Sequence, residues 1–210
     1  FSEFHSNVPI IITNHQTAEM IKYANNSFLA TKISFINQIA NICEEIPNAN
    51  IDDVSKAIGL DPRIGNLFLN AGPGYGGSCL PKDVKAIINF STKMGINPTL
   101  LTAVEKTNKQ QIDKILRLAE QNIGKINGKK ITILGVAFKP ETDDIRDSVS
   151  IGLVKRLLKL GAKITIHDPK ALENARKIFR DNAKYVKSIP AALKDCQCAI
   201  IMTQWKDYET

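Results

Sequence analysis

A single thiol closes a glycine-rich run, "GPGYGGSCLPKDVKAI", that begins at Gly72. Pro81 follows Cys79 closely, and a proline suits the first turn of a helix because its missing N–H would be unpaired there anyway. Cys79 therefore stands at a predicted helix N-terminus. The positive end of the helix dipole and the neighbouring Lys82 both favour the thiolate, which is the nucleophilic form. Asp83 opposes that effect if it is close, but a carboxylate there can hold a water or a reacting hydroxyl. The glycines allow backbone to approach a ligand and to turn N–H groups toward its oxygen atoms. The pattern fits an activated thiol beside a bound ligand. It also fits a buried cysteine in a tight turn with solvated Lys82 and Asp83.

Lys22 and Asn26 lie four residues apart in an otherwise apolar helical stretch, so they share one face. As a pair they can donate to a developing oxyanion. The alternative is a lysine that lays its stem on the helix and carries its charge to solvent.

The elements that must position these groups divide into two kinds. Residues Thr17 to Ile46 are predicted as one long helix capped by Thr17, with Ile21, Ala24, Phe28, Phe35, Ile39, Ile42 and Ile46 at spacings of three, four and seven. Met20, Tyr23, Ala30 and Ala40 form a second stripe. A helix apolar on so many sides is expected at a domain centre or in a dimer core. A short helix from Asp52 to Ile58, stopped by Gly59, comes next. Then come helices from Pro81 to Met94 and from Asn97-Pro98 to Ile123, ended by Gly95 and Gly124. After the polar "GKINGKK" the pattern changes to strand-like "KKITILGVAF", the amphipathic "SIGLVKRLLKLG" with Ser148 as a cap, "AKITIHD", a short "KYV" and "CAIIMT". Alternating strands and helices predict a parallel sheet. The expectation is an all-α dimerisation domain over residues 1–126 and a Rossmann-like α/β domain over residues 127–210. The first strand ends in one glycine without G-x-G-x-x-G. Asp168 ends the second strand, where an acid can meet a ribose, but a standard pyrophosphate cradle is missing.

Composition narrows the class. The formal net charge is +7, but the basic residues are scattered and no nucleic-acid-binding spacing is present. No apolar run is long enough to span a membrane. Of the four cysteines, Cys43 reads as core packing, and Cys196 and Cys198 are too close for an easy disulfide or a zinc site. No metal is expected, and a reducing cytoplasm is the default compartment. The chain opens on Phe1 and stops just after a predicted strand, so a piece of a longer protein is expected.

The segments "TAEMIKYANNSFLATKISFINQIANICE", "GLDPRIG", "GPGYGGSCLPKD" and "LGVAFKPETDDIRDS" resemble, in order and spacing, the central and C-terminal parts of the UDP-glucose 6-dehydrogenases of the UDP-glucose/GDP-mannose dehydrogenase family. The similarity runs from about Thr13 to Trp205. It implies two NAD-dependent oxidations of an alcohol to an acid through a thioester on Cys79. Lys22 and Asn26 would stabilise oxyanions, and Asp83 would position or activate water. Lys82 and Arg146 would touch NAD. Phe68, Leu69, Asn70, Ala71 and Gly72, with Gly76, Phe138 and Lys139, would hold the sugar nucleotide. Arg63 would reach the substrate site of a neighbouring subunit across a homodimer built on the long helix. The family's N-terminal NAD domain, its catalytic glutamate and its final segment are not in this sequence, so the isolated chain is expected to be inactive. A non-catalytic UDP-sugar-binding module is the competing reading. Relatives acting on GDP-mannose or on N-acetylated UDP-sugars are the others, and the latter tend to carry His where this chain has Ser78.

Overall fold

The computed structural model describes residues 9–209. Four helices come first: α1 (His15–Cys43), α2 (Ile51–Gly59), α3 (Leu80–Lys93) and α4 (Thr99–Ile123). The remainder is β1 (Lys130–Leu134), α5 (Val149–Lys159), β2 (Lys163–His167), α6 (Leu172–Phe179), β3 (Ala183–Tyr185), α7 (Ile189–Leu193) and β4 (Cys198–Ile201). All strand pairs are parallel, in the order β3-β2-β1-β4. No helix is long and apolar enough to cross a membrane among the described residues.

Helix boundaries differ from the sequence expectation by a few residues at several ends, and three differences have a visible cause. Asn14, not Thr17, caps α1, its side chain accepting from Thr17 N at 2.8 Å. An Asn one turn earlier offers the same acceptor, and the helix continues back to meet it. α1 ends at Cys43 rather than Ile46, because a residue before proline (Pro47) is pushed out of helical conformation. Gly59 does not stop α2 but is its last residue. A Cβ there would lie 3.0 Å from Asn66 Cα, so the glycine admits a close chain crossing.

Two apolar clusters form. Ala30, Tyr75, Val84 and Val104 join α1, α3 and α4 to the glycine-rich run. The larger cluster is built from β1, β2 and α5, with Ile131, Ile133, Leu153, Val154, Leu157 and Ile166 nearly inaccessible. Leu116 and Ala119, in the second half of α4, belong to this larger cluster. α4 thus enters both cores and ties the helical part to the sheet.

β1 lies between β2 and β4, and the chain winds outward from it in both directions. The crevice outside the C-terminal ends of β1 and β4 is the topological switch point, where open parallel sheets take ligands. Beside it, Asp168 at the end of β2 is buried, and its carboxylate is fully occupied. Oδ2 accepts from Val136 N at 2.7 Å and Ala137 N at 3.0 Å. Oδ1 accepts from Lys170 N at 2.9 Å and Ala171 N at 2.7 Å. The two amides that would face a phosphate after β1 are therefore committed to the chain's own carboxylate.

Candidate active site

The segment between α2 and α3 is irregular and held from both sides. Gly72 N donates to Asn37 Oδ1 at 2.7 Å. Asn108 clasps Tyr75, accepting from its N at 2.8 Å and donating to its O at 3.0 Å. Both asparagines sit on long helices, α1 and α4, so rigid elements fix the run that leads to Cys79. The glycines are used mainly against the rest of the chain. Gly77 has φ +87°, and a Cβ there would lie 2.7 Å from the Phe138 ring. A Cβ on Gly76 would lie 2.6 Å from Asp147 O. Gly77 N also donates to Arg146 O at 3.0 Å. The glycine-rich run thus packs backbone-first onto the loop between β1 and α5.

Cys79 is exposed and occupies the N-cap position of α3, with Pro81 in the first turn as expected. One turn on, the Asp83 side chain is wholly buried, and three donors converge on it. Asn26 Nδ2 donates to Oδ2 at 2.6 Å, Lys82 Nζ donates to Oδ1 at 2.6 Å, and Lys22 Nζ stands 3.6 Å from Oδ2. Burial pushes the Asp83 carboxyl up, but the hydrogen bonds from Lys82 and Asn26 and the charges of Lys22 and Lys82 outweigh it. The net result lies below the usual carboxylate range. Asp83 is therefore an acceptor at neutral pH and not a proton source. The Lys82 ammonium is held charged, first by its hydrogen bond to Asp83 and in smaller part by Cys79. Arg146 is held charged first by Asp144, whose carboxylate it meets at 2.7 Å, and again in smaller part by Cys79. A thiol with two mostly exposed cations around it and a three-donor carboxylate behind it is an arrangement for a nucleophile whose product carries negative charge.

Next to this centre the switch-point crevice opens into a cleft of about 380 Å³. Phe68, Asn70, Ala71 and Gly72 form one wall, Phe138 and Lys139 another, and Met202, Thr203 and Gln204 after β4 a third. Residues 16–110 match the central domain of the UDP-glucose/GDP-mannose dehydrogenase family, and residues 132–210 match that family's UDP-binding domain. The chain belongs to this dehydrogenase family. It is 43% identical over 208 residues to the UDP-glucose 6-dehydrogenase TuaD of Bacillus subtilis, covering 97% of this chain and 44% of that protein. It is 46% identical over 204 residues to a UDP-glucose 6-dehydrogenase of Rickettsia felis, covering 95% of this chain and 45% of that protein. Among solved structures, a UDP-glucose dehydrogenase from Pyrobaculum islandicum superposes with a TM-score of 0.94 at 37% identity, covering 99% of this chain and 48% of that one. The chain spans about half the length of the curated relatives it matches.

Within this chain the structure brings Lys22, Asn26, Lys82 and Asp83 together at the α3 N-terminus that carries Cys79. It brings Phe68, Asn70, Ala71, Gly72, Phe138 and Lys139 together around the cleft. Two residues expected at the cleft sit elsewhere, and Arg63, expected to serve a neighbouring subunit, lies outside this chain's own cleft. Leu69 turns inward and is 2% exposed, because the Ser55 hydroxyl holds its carbonyl at 2.5 Å and its side chain fills the core. Gly76 abuts the Asp147 backbone rather than the cleft. Arg63 projects into solvent, 87% exposed at its side chain and paired with Asp61. Sequence reasoning did not find the tethers Asn37 and Asn108, or Thr203, whose hydroxyl donates to Ala137 O at 2.6 Å. A buried amide on an otherwise apolar helix face was the signal available for Asn37.

Proposed function

We propose that this chain supplies the cysteine, oxyanion and sugar-nucleotide parts of an NAD-dependent UDP-glucose 6-dehydrogenase. The supporting observation is the convergence of Lys22, Asn26 and Lys82 on buried Asp83 at the helix start that presents Cys79. A UDP-sugar would lie in the switch-point cleft, its sugar beside Asn70, Ala71 and Gly72 and its nucleotide beside Phe138 and Lys139. For the cofactor, the donor chemistry fits on one side only. Val136 and Ala137 amides are already bonded to Asp168, so the α/β unit offers no pyrophosphate cradle, whereas Lys82 and Arg146 are exposed cations beside Cys79. Those two residues would hold NAD, which when bound supplies the hydride acceptor.

In this reading Cys79 Sγ attacks the aldehyde carbon of the half-oxidised substrate, forming a C–S bond. Lys22 Nζ and Asn26 Nδ2 donate to the oxygen that takes the electron pair. Oxidation of the adduct leaves a thioester on Sγ. Asp83, ionised and anchored, orients the water that breaks the C–S bond and returns the thiol. The mechanism requires a free thiol, which suits a reducing compartment such as the cytoplasm.

The homodimer belongs to the same proposal. Ile21, Phe28, Phe35 and Ile42 recur every seven residues along α1 and are 50, 65, 49 and 51% exposed. A seven-residue apolar seam is the pattern of helices that pack lengthwise on one another. A second copy would cover it and bring Arg63 toward the neighbour's cleft. Calorimetry of the chain with UDP-glucose and with GDP-mannose tests the substrate. UDP-glucose should bind and GDP-mannose should bind more weakly. A preference for GDP-mannose would move the assignment to that branch, and no binding of either at millimolar concentration would end it.

A further inference from the structure

A second cleft, of about 320 Å³, lies on the other side of the glycine-rich run, between α3, α4 and the start of α5. Ser148 occupies the N-cap of α5, where a serine hydroxyl ordinarily accepts from a first-turn N–H, yet it makes no such bond. It is 5% exposed, and its Oγ has no partner among the described residues. The Tyr75 hydroxyl, from a residue lining the same cleft, is likewise buried and unpartnered. The first-turn amides of α5 have no intrahelical acceptor either. Three lysines border the cleft: Lys85 of α3, Lys109 of α4 and Lys155 of α5. Glu105 and Asp147 border it too, and Glu105 is taken by Lys109 at 2.8 Å. Lys85 and Lys155 form no ion pair among the described residues.

A buried hydroxyl with no partner costs free energy that a ligand can recover. Free amides at a helix start and nearby ammonium groups select an anion for that ligand. We propose that the N-terminus of α5 binds a phosphate group, free or as a phosphomonoester. Ser148 Oγ and the first-turn amides donate to it, and Lys85 and Lys155 supply the countercharge. The site joins both parts of the chain, so occupancy holds the β1–α5 loop, with Phe138 and Arg146, against the run leading to Cys79.

The test is thermal unfolding and calorimetry of this chain with inorganic phosphate, and separately with glucose 6-phosphate, against sodium chloride at equal ionic strength. A saturable rise in Tm is expected with phosphate. Lys155→Gln should weaken phosphate about tenfold, as for one lost charge-assisted contact, and Lys85→Gln similarly. Both lysines are exposed, so these variants should fold. Ser148→Ala should weaken phosphate several-fold, and Lys130→Gln, remote from the cleft, should leave it unchanged. Stronger binding of glucose 6-phosphate identifies a phosphomonoester as the ligand, and equal binding identifies free phosphate. A rise that never saturates and ignores the substitutions at Lys85, Ser148 and Lys155 is a bulk salt effect and overturns the proposal. Displacement of phosphate by UDP also overturns it, since the anion would then occupy the sugar-nucleotide cleft. The UDP-glucose titration on its own reads the function proposed above, so the two can fail separately.

Discussion

Replacing Asp168 by Asn tests how the α/β unit is built and whether its acid is free to bind a ribose. The carboxylate accepts four backbone N–H groups at 2.7–3.0 Å, two on each oxygen. Asn keeps the shape but replaces one oxygen by an NH₂ group, so two of the four amides face a donor. Each such hydrogen bond to a charged acceptor contributes about 1.5–3 kcal/mol, giving a loss of about 3–6 kcal/mol for the pair. That is a large share of the roughly 5–15 kcal/mol by which ordinary domains are stable. Trp205 Nε1, at 3.4 Å from Oδ2, adds little at that distance. Urea unfolding at one fixed protein concentration is the assay, because an associating chain changes apparent stability with concentration. Asp168→Ala should cost at least as much as Asp168→Asn. A loss below about 1 kcal/mol for Asp168→Asn would refute the reasoning and return Asp168 to the role of a ligand-binding acid.

Three further outcomes are expected. Cys79→Ser in a full-length dehydrogenase carrying this segment should abolish acid production while UDP-glucose binding in calorimetry stays near wild type; acid production at the wild-type rate would remove the covalent mechanism. Asp83 has a folded-state pKa below its unfolded one, so its contribution is present above the ordinary carboxylate value of about 3.9 and lost as pH falls through the depressed folded value; Asp83→Asn should flatten the acid limb of a stability–pH curve in that window, and an unchanged limb would contradict the charge cluster. Phe28→Glu with Phe35→Glu should leave only a species of the 23.2 kDa chain mass in light scattering, whereas a larger species in the double variant would place the dimer contact elsewhere.

Much of this architecture is legible in residue order alone. The strands and α5 follow from short β-branched runs alternating with an amphipathic stretch, and Pro81 marks the start of α3 directly. The cluster on Asp83 was readable as types: Lys22 and Asn26 one helical turn apart, and Lys82-Asp83 one turn past a cysteine. Their common meeting point was not, because it depends on α1 and α3 packing side by side. The glycines are the clearest divergence. Their number suggested backbone wrapped around a ligand, yet Gly76 and Gly77 are occupied by Asp147 and Phe138, residues some sixty to seventy positions away. Local sequence carries no record of such a partner. Asp168 was read through its strand-end position, and only the folded chain shows that its four donors come from two separate loops.

The backbone-to-ring contact between Gly77 and Phe138 also bears on how such a chain can be recombined. An α/β half taken from a relative would arrive with its own version of the β1–α5 loop, and Gly76 and Gly77 have no side chains with which to adapt to it. A chimera joined after α4 would keep Lys22, Asn26, Lys82 and Asp83 beside Cys79 and still lose Arg146 and the surface that aims the thiol. Exchanges of sugar specificity in this family should therefore succeed when residues 72–79 and 135–148 travel together, and fail when the junction separates them.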